Sequence, residues 1–222
     1  MTRERAGDYD LKKQGILDRA AELFGRKGFD VTTMADVARA CGTSKSHLYH
    51  YFPAKEDLLF AIVSEHIHSL SDALGDIVRS NTPAVVRFRR FVDEFVQRAA
   101  RSRNEHLVLM NELKFLPEPK AREVRRREQE LVNLMVELLR EINPKRMTAV
   151  RVRAPYAMLL YGMMIWTLTW YRDSGALTPS ELAERMANLF VGGFGSPGHA
   201  SAGLSDALSR PRARLRTARA AN

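Results

Sequence analysis

Between residues 32 and 59 the sequence TTMADVARACGTSKSHLYHYFPAKEDLL contains two short segments in which apolar residues recur at helical spacing. Gly42 separates the two segments, and glycine permits the positive φ that a tight turn requires. Pro53 ends the second segment because proline has no amide hydrogen and restricts the residue before it. Thr33 is a candidate N-cap for the first segment, and Thr43 or Ser44 for the second. The spacing therefore predicts a short helix, a turn and a second short helix.

The second helix, predicted from Ser44 to Phe52, has one apolar face and one polar face. Leu48 and Phe52 lie four residues apart and point inward if the segment is helical. The other face then carries five hydrogen-bonding residues: Lys45, Ser46, His47, Tyr49 and His50. A helix-turn-helix places such a helix in the major groove of DNA, where its side chains meet base edges and phosphates. The pattern therefore predicts a DNA-contacting helix.

From about Lys12 to Leu59 the chain resembles the TetR family of bacterial transcriptional regulators. The resemblance rests on the helix LKKQGILDRAAELFGRKGFDVTTMADVARACG and on TSKSHLYHYFPAKEDLL, where Leu-Tyr, His, Phe, Lys and a Leu pair occur in order. It implies an all-α homodimer that binds a double-stranded DNA operator. Each subunit would have an N-terminal three-helix DNA-binding domain and a C-terminal helical domain with a small-molecule pocket.

The same resemblance implies roles for individual residues. The groove face would be formed by Ser44, Lys45, Ser46, His47, Tyr49 and His50. Lys45 and His47 are the candidates for reading bases, and Lys55, at the start of the following helix, would contact a phosphate. Thr33 would also bind a phosphate, although a plain N-cap explains this residue equally well.

The remaining pattern divides the chain into segments. We expect a flexible arm at residues 1–10, a DNA-binding domain at 11–59, an effector-binding and dimerisation domain at 60–195 and a disordered Arg-rich tail at 196–222. An unbroken amphipathic pattern from Ala54 to about Arg79 predicts one long helix leaving the DNA-binding domain. Other helices are predicted at about 11–27, 83–101, 105–115, 121–142, 154–171 and 181–194. In TetR-like proteins the last two helices of each subunit form a four-helix bundle across the dimer axis.

Composition bears on partners and location. The net charge of +9 suggests a polyanionic partner, yet residues 1–60 carry ten basic and nine acidic side chains, so phosphate affinity depends on where the charges lie. Cys41 is the only cysteine, which fits a small packed residue and does not indicate an oxidising compartment. The N-terminus lacks the apolar segment of a secretion signal, so we expect a cytoplasmic protein.

Residues 154–171 carry no formal charge and are just long enough to suggest a membrane span as an alternative. Pro155, Gly162, Thr167 and Thr169 argue against a span, as does the low mean hydropathy of the chain. A helix buried between its own domain and a partner subunit explains the segment without a membrane.

Apolar and aromatic residues of the C-terminal helices are candidates for the wall of an effector pocket, although their spacing is also typical of a plain core. They are Phe91, Phe95, Met110, Phe115, Met135, Tyr161, Met163, Trp166 and Trp170. The segments MNELKFLPEP and MLLYGMMIWTLTWYR, followed by GALTP, resemble regulators of phenylacetate and fatty-acid catabolism, which respond to acyl-CoA thioesters. That resemblance implies an acyl-CoA effector. Six arginines are candidates to bind its phosphates: Arg87, Arg89, Arg90, Arg122, Arg125 and Arg126.

No catalytic or metal-binding motif accompanies these patterns. His66 and His68 are two residues apart on a predicted helix and do not share a face, and the six histidines do not cluster as ligands. We therefore expect neither an enzyme nor a cofactor. The leading hypothesis is a repressor that a small hydrophobic or acyl-CoA ligand releases from a pseudo-palindromic operator. The alternative is a helix-turn-helix protein without a small-molecule effector, controlled by a protein partner.

Overall fold

A computed structural model describes the backbone of residues 2–172 and 174–194 and the side chains of residues 9–172 and 174–193. The regular structure in these ranges is entirely helical, which confirms the all-α prediction. The helices are α1 (Thr2–Lys27), α2 (Met34–Ala40), α3 (Lys45–Tyr51), α4 (Lys55–Arg79), α5 (Ala84–Arg101), α6 (Arg103–Glu112), α7 (Glu118–Ile142), α8 (Val150–Trp170) and α9 (Pro179–Phe194). A short 3₁₀ helix (Leu113–Phe115) follows α6. The predicted tail at 196–222 lies outside the described residues.

Local side-chain caps explain where the two short helices begin. The Thr33 hydroxyl accepts a hydrogen bond from the Asp36 amide at 3.2 Å, and the Thr33 amide donates to the Asp36 carboxylate at 3.0 Å. This reciprocal pair is a capping box, which satisfies two amides that the start of α2 would otherwise leave free. Ser44 caps α3 by accepting from the His47 amide at 3.1 Å. Between the two helices Gly42 has a φ of 62°, as the turn requires.

The first helix is longer than predicted. It begins at Thr2, so residues 2–10 are helical and do not form the flexible arm that their charged, Gly-containing sequence suggests. One tertiary contact lies in this added part of the helix: the Tyr9 ring stacks on the Tyr51 ring of α3 with centroids 4.7 Å apart. Such a pair adds about 0.5–1.5 kcal/mol beyond burial, and composition alone cannot reveal it.

The long helix α4 connects the two parts of the molecule, as predicted. It packs against α1 on one side and against α5, α6 and α7 on the other. Its apolar side is buried from Leu58 to Val78, so the helix is held along its whole length. Further along the chain, α5 packs against α7, α8 and α9. One continuous element therefore joins the residues that follow α3 to the C-terminal helices.

Candidate nucleic-acid interface and ligand cavity

The recognition helix candidate, α3, is anchored from behind by two apolar residues. Leu48 is fully buried and Phe52 is 4% exposed, in the same core as Leu17, Phe24 and Val37. Burial of a leucine of this kind is worth about 2–5 kcal/mol against alanine, so the orientation of α3 about its axis is strongly determined. The polar side chains of α3 therefore point away from the protein, whereas Tyr51 is half-buried.

The five residues predicted for the polar face are all exposed: Lys45, Ser46, His47, Tyr49 and His50. Tyr49 is 40% exposed, which rules out the alternative that it is a packed core aromatic. The Lys45 ammonium lies 5.7 Å from the centroid of the Tyr49 ring, one helical turn away. This cation–π contact limits the conformations of both side chains. The predicted exposure of this face is thus confirmed, while its contacts with DNA remain a prediction.

An aromatic cluster extends the polar face toward the N-terminus. Tyr51 stacks on Tyr9, and the rings of His47 and His50 approach Tyr51 edge-on at 5.2 and 5.8 Å. The α3 sequence KSHLYHY contains no acidic residue. The exposed surface of this helix therefore offers donors and one formal positive charge to a polyanion.

Lys55 lies differently from the expected phosphate contact. Its ammonium donates to the carbonyl oxygens of Phe29 at 2.8 Å, Thr32 at 3.0 Å and Asp30 at 3.3 Å. It also lies 4.1 Å from the centroid of the Phe29 ring. An ammonium has three hydrogens to donate, and all three have acceptors within the protein. In this conformation Lys55 holds the loop between α1 and α2 onto the start of α4.

Thr33 is exposed and is also occupied within the protein. Besides the capping box, its hydroxyl donates to the Asp36 carboxylate at 2.6 Å. Hydrogen bonds from Thr33 lower the pKa of Asp36, so this carboxylate is charged at neutral pH. A negative charge at the start of α2 repels a phosphate there, and the plain N-cap is the better interpretation of Thr33.

A largely apolar cavity of about 410 Å³ lies between α4, α5, α6, α7 and α8. Volumes of this size hold small ligands in many proteins. Its apolar and aromatic wall consists of Ile67, Leu70, Phe95, Leu109, Met110, Leu131, Val132, Met158, Tyr161 and Ile165. Its polar wall consists of His106, Arg125, Glu128 and Gln129. The cavity is thus lined by the same helix, α4, that starts next to α3.

Three of the nine predicted pocket residues line this cavity: Phe95, Met110 and Tyr161. Phe91 and Met135 are fully buried core residues outside its lining. The other four also lie outside this lining, and their place in an effector pocket stays a prediction: Phe115, Met163, Trp166 and Trp170. Phe115 packs near Phe29, with ring centroids 5.2 Å apart. The two tryptophans are 67% and 53% exposed on α8.

A histidine pair, which the sequence does not indicate, joins α4 to α6. His66 Nε2 lies 3.0 Å from His106 Nδ1, although the residues are forty positions apart. Burial lowers the pKa of His66 to about 4, with a further contribution from Arg98. Burial likewise lowers the pKa of His106 to about 3, with a further contribution from His66. Both imidazoles are therefore neutral at pH 7, and a single N–H joins them.

Of the six arginines considered for the phosphates of a thioester, one lines the cavity. That residue is Arg125, whose Nη2 donates to both carboxylate oxygens of Glu118 at 2.8 Å. Arg87 is occupied elsewhere: it donates to the Thr82 and Val78 carbonyls and pairs with Glu141. The remaining four do not line the cavity: Arg89, Arg90, Arg122 and Arg126.

An apolar stripe on α8 is left exposed in the single chain. Leu159, Gly162, Trp166 and Trp170 recur three or four residues apart, and Leu189 of α9 is also exposed. A Cβ built on Gly162 would meet no atom within 4 Å, so the surface above this glycine is open. Repeats of three and four residues place the stripe along one side of the helix. Among the residues that the structure describes, no helix combines the length and apolar character needed to cross a membrane.

These features define a class of protein. A short second helix exposes a polar face over an apolar anchor, after a tight turn, in the arrangement of a helix-turn-helix DNA-binding protein.

The chain belongs to the TetR family of bacterial transcriptional regulators. Residues 16–62 match the model for bacterial regulatory proteins of the tetR family, and residues 81–194 match the model for the tetracyclin repressor-like C-terminal domain. The resemblance noted in the sequence is thereby confirmed, and the protein is a DNA-binding transcriptional regulator.

Solved structures and curated relatives agree. A TetR-family transcriptional regulator from Bordetella parapertussis is 36% identical, with a TM-score of 0.77 over 81% of this chain and 93% of that one. The structure of AibR in complex with isovaleryl coenzyme A and operator DNA has a TM-score of 0.71 at 24% identity, over 80% of this chain and 97% of that one. The transcriptional repressor KstR2 of Mycobacterium tuberculosis is 20% identical over 87% of this chain and 98% of its own length. At these identities the latter two show a common fold only.

Proposed function

We propose that the protein is a dimeric repressor whose α3 helices bind a pseudo-palindromic operator and which a hydrophobic or acyl-CoA ligand releases. The observation that carries the proposal is the exposed polar face of α3, held outward by Leu48 and Phe52. A helix anchored in this way enters the major groove with little conformational cost because its orientation is already determined.

Within that face, Lys45 and His47 are assigned to base edges and Tyr49 to the DNA backbone. Lys45 follows the Ser44 cap and His47 donates its amide to it, so both lie in the first turn of α3. In helix-turn-helix proteins the N-terminal residues of the recognition helix are those that contact base edges. Lys55 acts indirectly, by holding the α1–α2 loop in place.

The stripe on α8, together with α9, is the proposed dimer interface. Exposed tryptophans on a helix face are costly in a monomer, and a two-fold related copy would bury them. Gly162 lets the two α8 helices approach closely because it has no side chain to separate them. In such a dimer the two α3 helices would lie about 34 Å apart, one turn of DNA.

The cavity is the proposed effector site. Its apolar wall suits an acyl chain, and Arg125 on its lining provides a cation for the polar remainder of a thioester. AibR, which shares this fold, has been solved in complex with isovaleryl coenzyme A and operator DNA, and this supports the same class of ligand here. A volume of about 410 Å³ suits the acyl part of such a ligand, so its nucleotide part would lie outside.

Two connections would carry a change in the cavity to α3. Ile67 and Leu70 of α4 line the cavity, and about 18 Å of continuous helix separates Ile67 from Lys55 at the start of α4. The second connection is α7, which lines the cavity with Leu131 and reaches the DNA-binding domain through an ion pair between Lys120 and Asp57. A ligand that fits the cavity only when α4 or α7 has moved would therefore disfavour the DNA-bound arrangement.

A mobility-shift experiment tests the proposal. The purified dimer is titrated onto the promoter DNA beside its own gene, with and without a panel of acyl-CoA thioesters that includes isovaleryl-CoA. Release at micromolar concentrations of one thioester is the expected result. Binding that none of the panel affects would favour a regulator controlled by a protein partner, and failure to bind any promoter fragment would overturn the whole proposal.

The contribution of α3 is tested with a matched pair of variants. Lys45→Ala should lower the preference for the operator over random DNA, since an Arg or Lys contact to a base is worth about 1–3 kcal/mol. Lys145→Ala removes an exposed lysine from the α7–α8 loop and should have no effect. Equal loss of operator and random DNA binding in Lys45→Ala would show that this residue contacts phosphates instead of bases.

A further inference from the structure

His106 is a buried polar group on a largely apolar wall. It is 3% exposed, lines the cavity, and its ring lies edge-on to Phe95 with centroids 5.5 Å apart. The other polar group embedded in the apolar wall, the Tyr161 hydroxyl, is already used, because it donates to the Leu131 carbonyl at 2.8 Å. The charged and amide groups of the lining all lie on α7.

Within the described part of the chain, only one of the two ring nitrogens of His106 has a hydrogen-bond partner. Nδ1 is paired with His66 Nε2 at 3.0 Å, whereas Nε2 has no hydrogen-bond partner among the described residues. The two nitrogens of an imidazole point in divergent directions, so Nε2 points away from His66. Nε2 is not fully enclosed by protein atoms, so a group in the cavity can reach it, and a ligand oxygen there would replace water as its hydrogen-bond partner.

The tautomer of the pair determines which nitrogen of His106 carries a hydrogen. His66 and Arg98 line a second, smaller cavity of about 270 Å³, and Arg98 contributes to the lowered pKa of His66. Arg98 is also paired with Glu94, so its charge does not by itself select a nitrogen of His66. In one of the two neutral tautomers the hydrogen of His66 is on Nε2 and is donated to His106 Nδ1. His106 then carries its own hydrogen on Nε2.

We propose that His106 Nε2 donates a hydrogen bond to a carbonyl oxygen of the effector and that His66 is the positioning residue that keeps His106 in this tautomer. The proposal rests on the proposed function in that it takes the cavity to be the effector site. It narrows the effector to an apolar molecule with a carbonyl group within its apolar part. It also joins the ligand, through His106 and His66, directly to α4.

The test uses two probes of nearly equal shape, butyrophenone and butylbenzene, which differ in a carbonyl oxygen. Their dissociation constants are measured on the full-length wild type, on His106→Phe and on His106→Leu. Because a net hydrogen bond is worth a factor of about three to ten, the ratio of the ketone to the hydrocarbon dissociation constant should rise by that factor in both variants. A purely structural role of His106 would weaken both probes alike and leave the ratio unchanged. Comparing this ratio between wild type and variant also cancels the different affinities of the two probes for water.

His68→Phe is the matched control. His68 also lies on α4, but it bonds the Ser64 carbonyl at 2.7 Å and does not line the cavity, so its replacement should leave the ratio unchanged. In His66→Phe the ratio should rise by less than in the two His106 variants, because His106 is still present but has lost the partner that fixes its tautomer.

Nitrogen-15 spectra of the histidine rings provide a measurement that needs no variant. In the wild type, His106 Nε2 should have the chemical shift of a protonated nitrogen, and butyrophenone should move this signal more than butylbenzene does. A deprotonated Nε2, an unchanged ratio in both His106 variants, or no binding of either probe would overturn the proposal.

The two proposals can fail separately. A His106-dependent preference for the ketone, together with no thioester that releases DNA, would refute the acyl-CoA release mechanism alone. Release by a thioester with equal potency in wild type and His106→Phe would refute the role of His106 alone.

Discussion

Replacing Lys55 with methionine separates a structural role from a DNA-contacting role at one residue. Methionine keeps most of the length and apolar character of the lysine stem but removes the ammonium. The carbonyl oxygens of Phe29, Asp30 and Thr32 then lose their common donor, and the Phe29 ring loses its cation. The loop between α1 and α2 is thereby loosened just before the N-cap of α2.

The magnitude follows from these contacts. Hydrogen bonds to a charged group contribute about 1.5–3 kcal/mol each when well formed, but Lys55 is only half-buried and its 3.3 Å contact is long. Water can also reach some of the freed carbonyls. We therefore expect Lys55→Met to lower the free energy of unfolding by about 2–4 kcal/mol, a large share of the 5–15 kcal/mol typical of a folded protein.

Two measurements are made on the same preparation. Chemical denaturation at a fixed protein concentration gives the free energy of unfolding. Operator binding at several salt concentrations gives the number of phosphates neutralised, because each contributes about 0.9 to the slope of log K against log salt. If Lys55 is structural, this slope is unchanged. If it contacts one phosphate per subunit, the slope of the dimer falls by about 1.8.

Lys45→Met is the control for both measurements. Lys45 is exposed on α3, so its replacement should change stability by less than about 0.5 kcal/mol while weakening operator binding. The interpretation of Lys55 would be refuted if Lys55→Met were as stable as the wild type and had a reduced salt slope. That result would mean that the ammonium leaves the three carbonyls and contacts DNA.

Three further predictions concern the effector domain. Between pH 6.5 and pH 4 the unfolded chain binds protons at His66 and His106, whereas the folded protein keeps both imidazoles neutral. The free energy of unfolding should therefore decrease as the pH falls from 6.5 toward 4. The difference in the free energy of unfolding between wild type and His106→Phe should shrink by about 1.4 kcal/mol per pH unit in this range, as pH-dependent denaturation would show. Gly162→Arg should leave each subunit folded but give monomers in sedimentation, since the added side chain meets nothing within its own chain; a stable dimer would refute the α8 interface. Lys120→Met removes the ion pair with Asp57 and should change stability by less than about 1 kcal/mol while weakening the effect of ligand on operator binding; an unchanged ligand effect would exclude this connection.

Much of the fold could be predicted from the sequence because it depends on neighbours in the chain. Thr33 and Asp36 form their capping box within one turn, Gly42 adopts its positive φ within a single residue, and the spacing of Leu48 and Phe52 determines which face of α3 is exposed. The family match of residues 16–62 confirms this interpretation of the N-terminal domain.

Contacts between distant parts of the chain could not be predicted in this way. The family resemblance implied that Lys55 contacts a phosphate, and only the tertiary structure brings it to carbonyls more than twenty residues away. Trp166 was a candidate for the pocket because it is one of several apolar residues at helical spacing. Such spacing is the same for a core, a pocket wall and an interface, and only the packing shows that Trp166 is exposed.

The sequence alone determined most of the helices and the exposed polar face of α3, because hydrogen-bonding caps, turns and helical periodicity act over three or four residues, and it also indicated the family. Only the tertiary structure decided what Lys55 holds, where the cavity lies and how His66 meets His106 across forty positions. These features depend on how separate helices pack, and the relative rotation and depth of packed helices are set by the whole core.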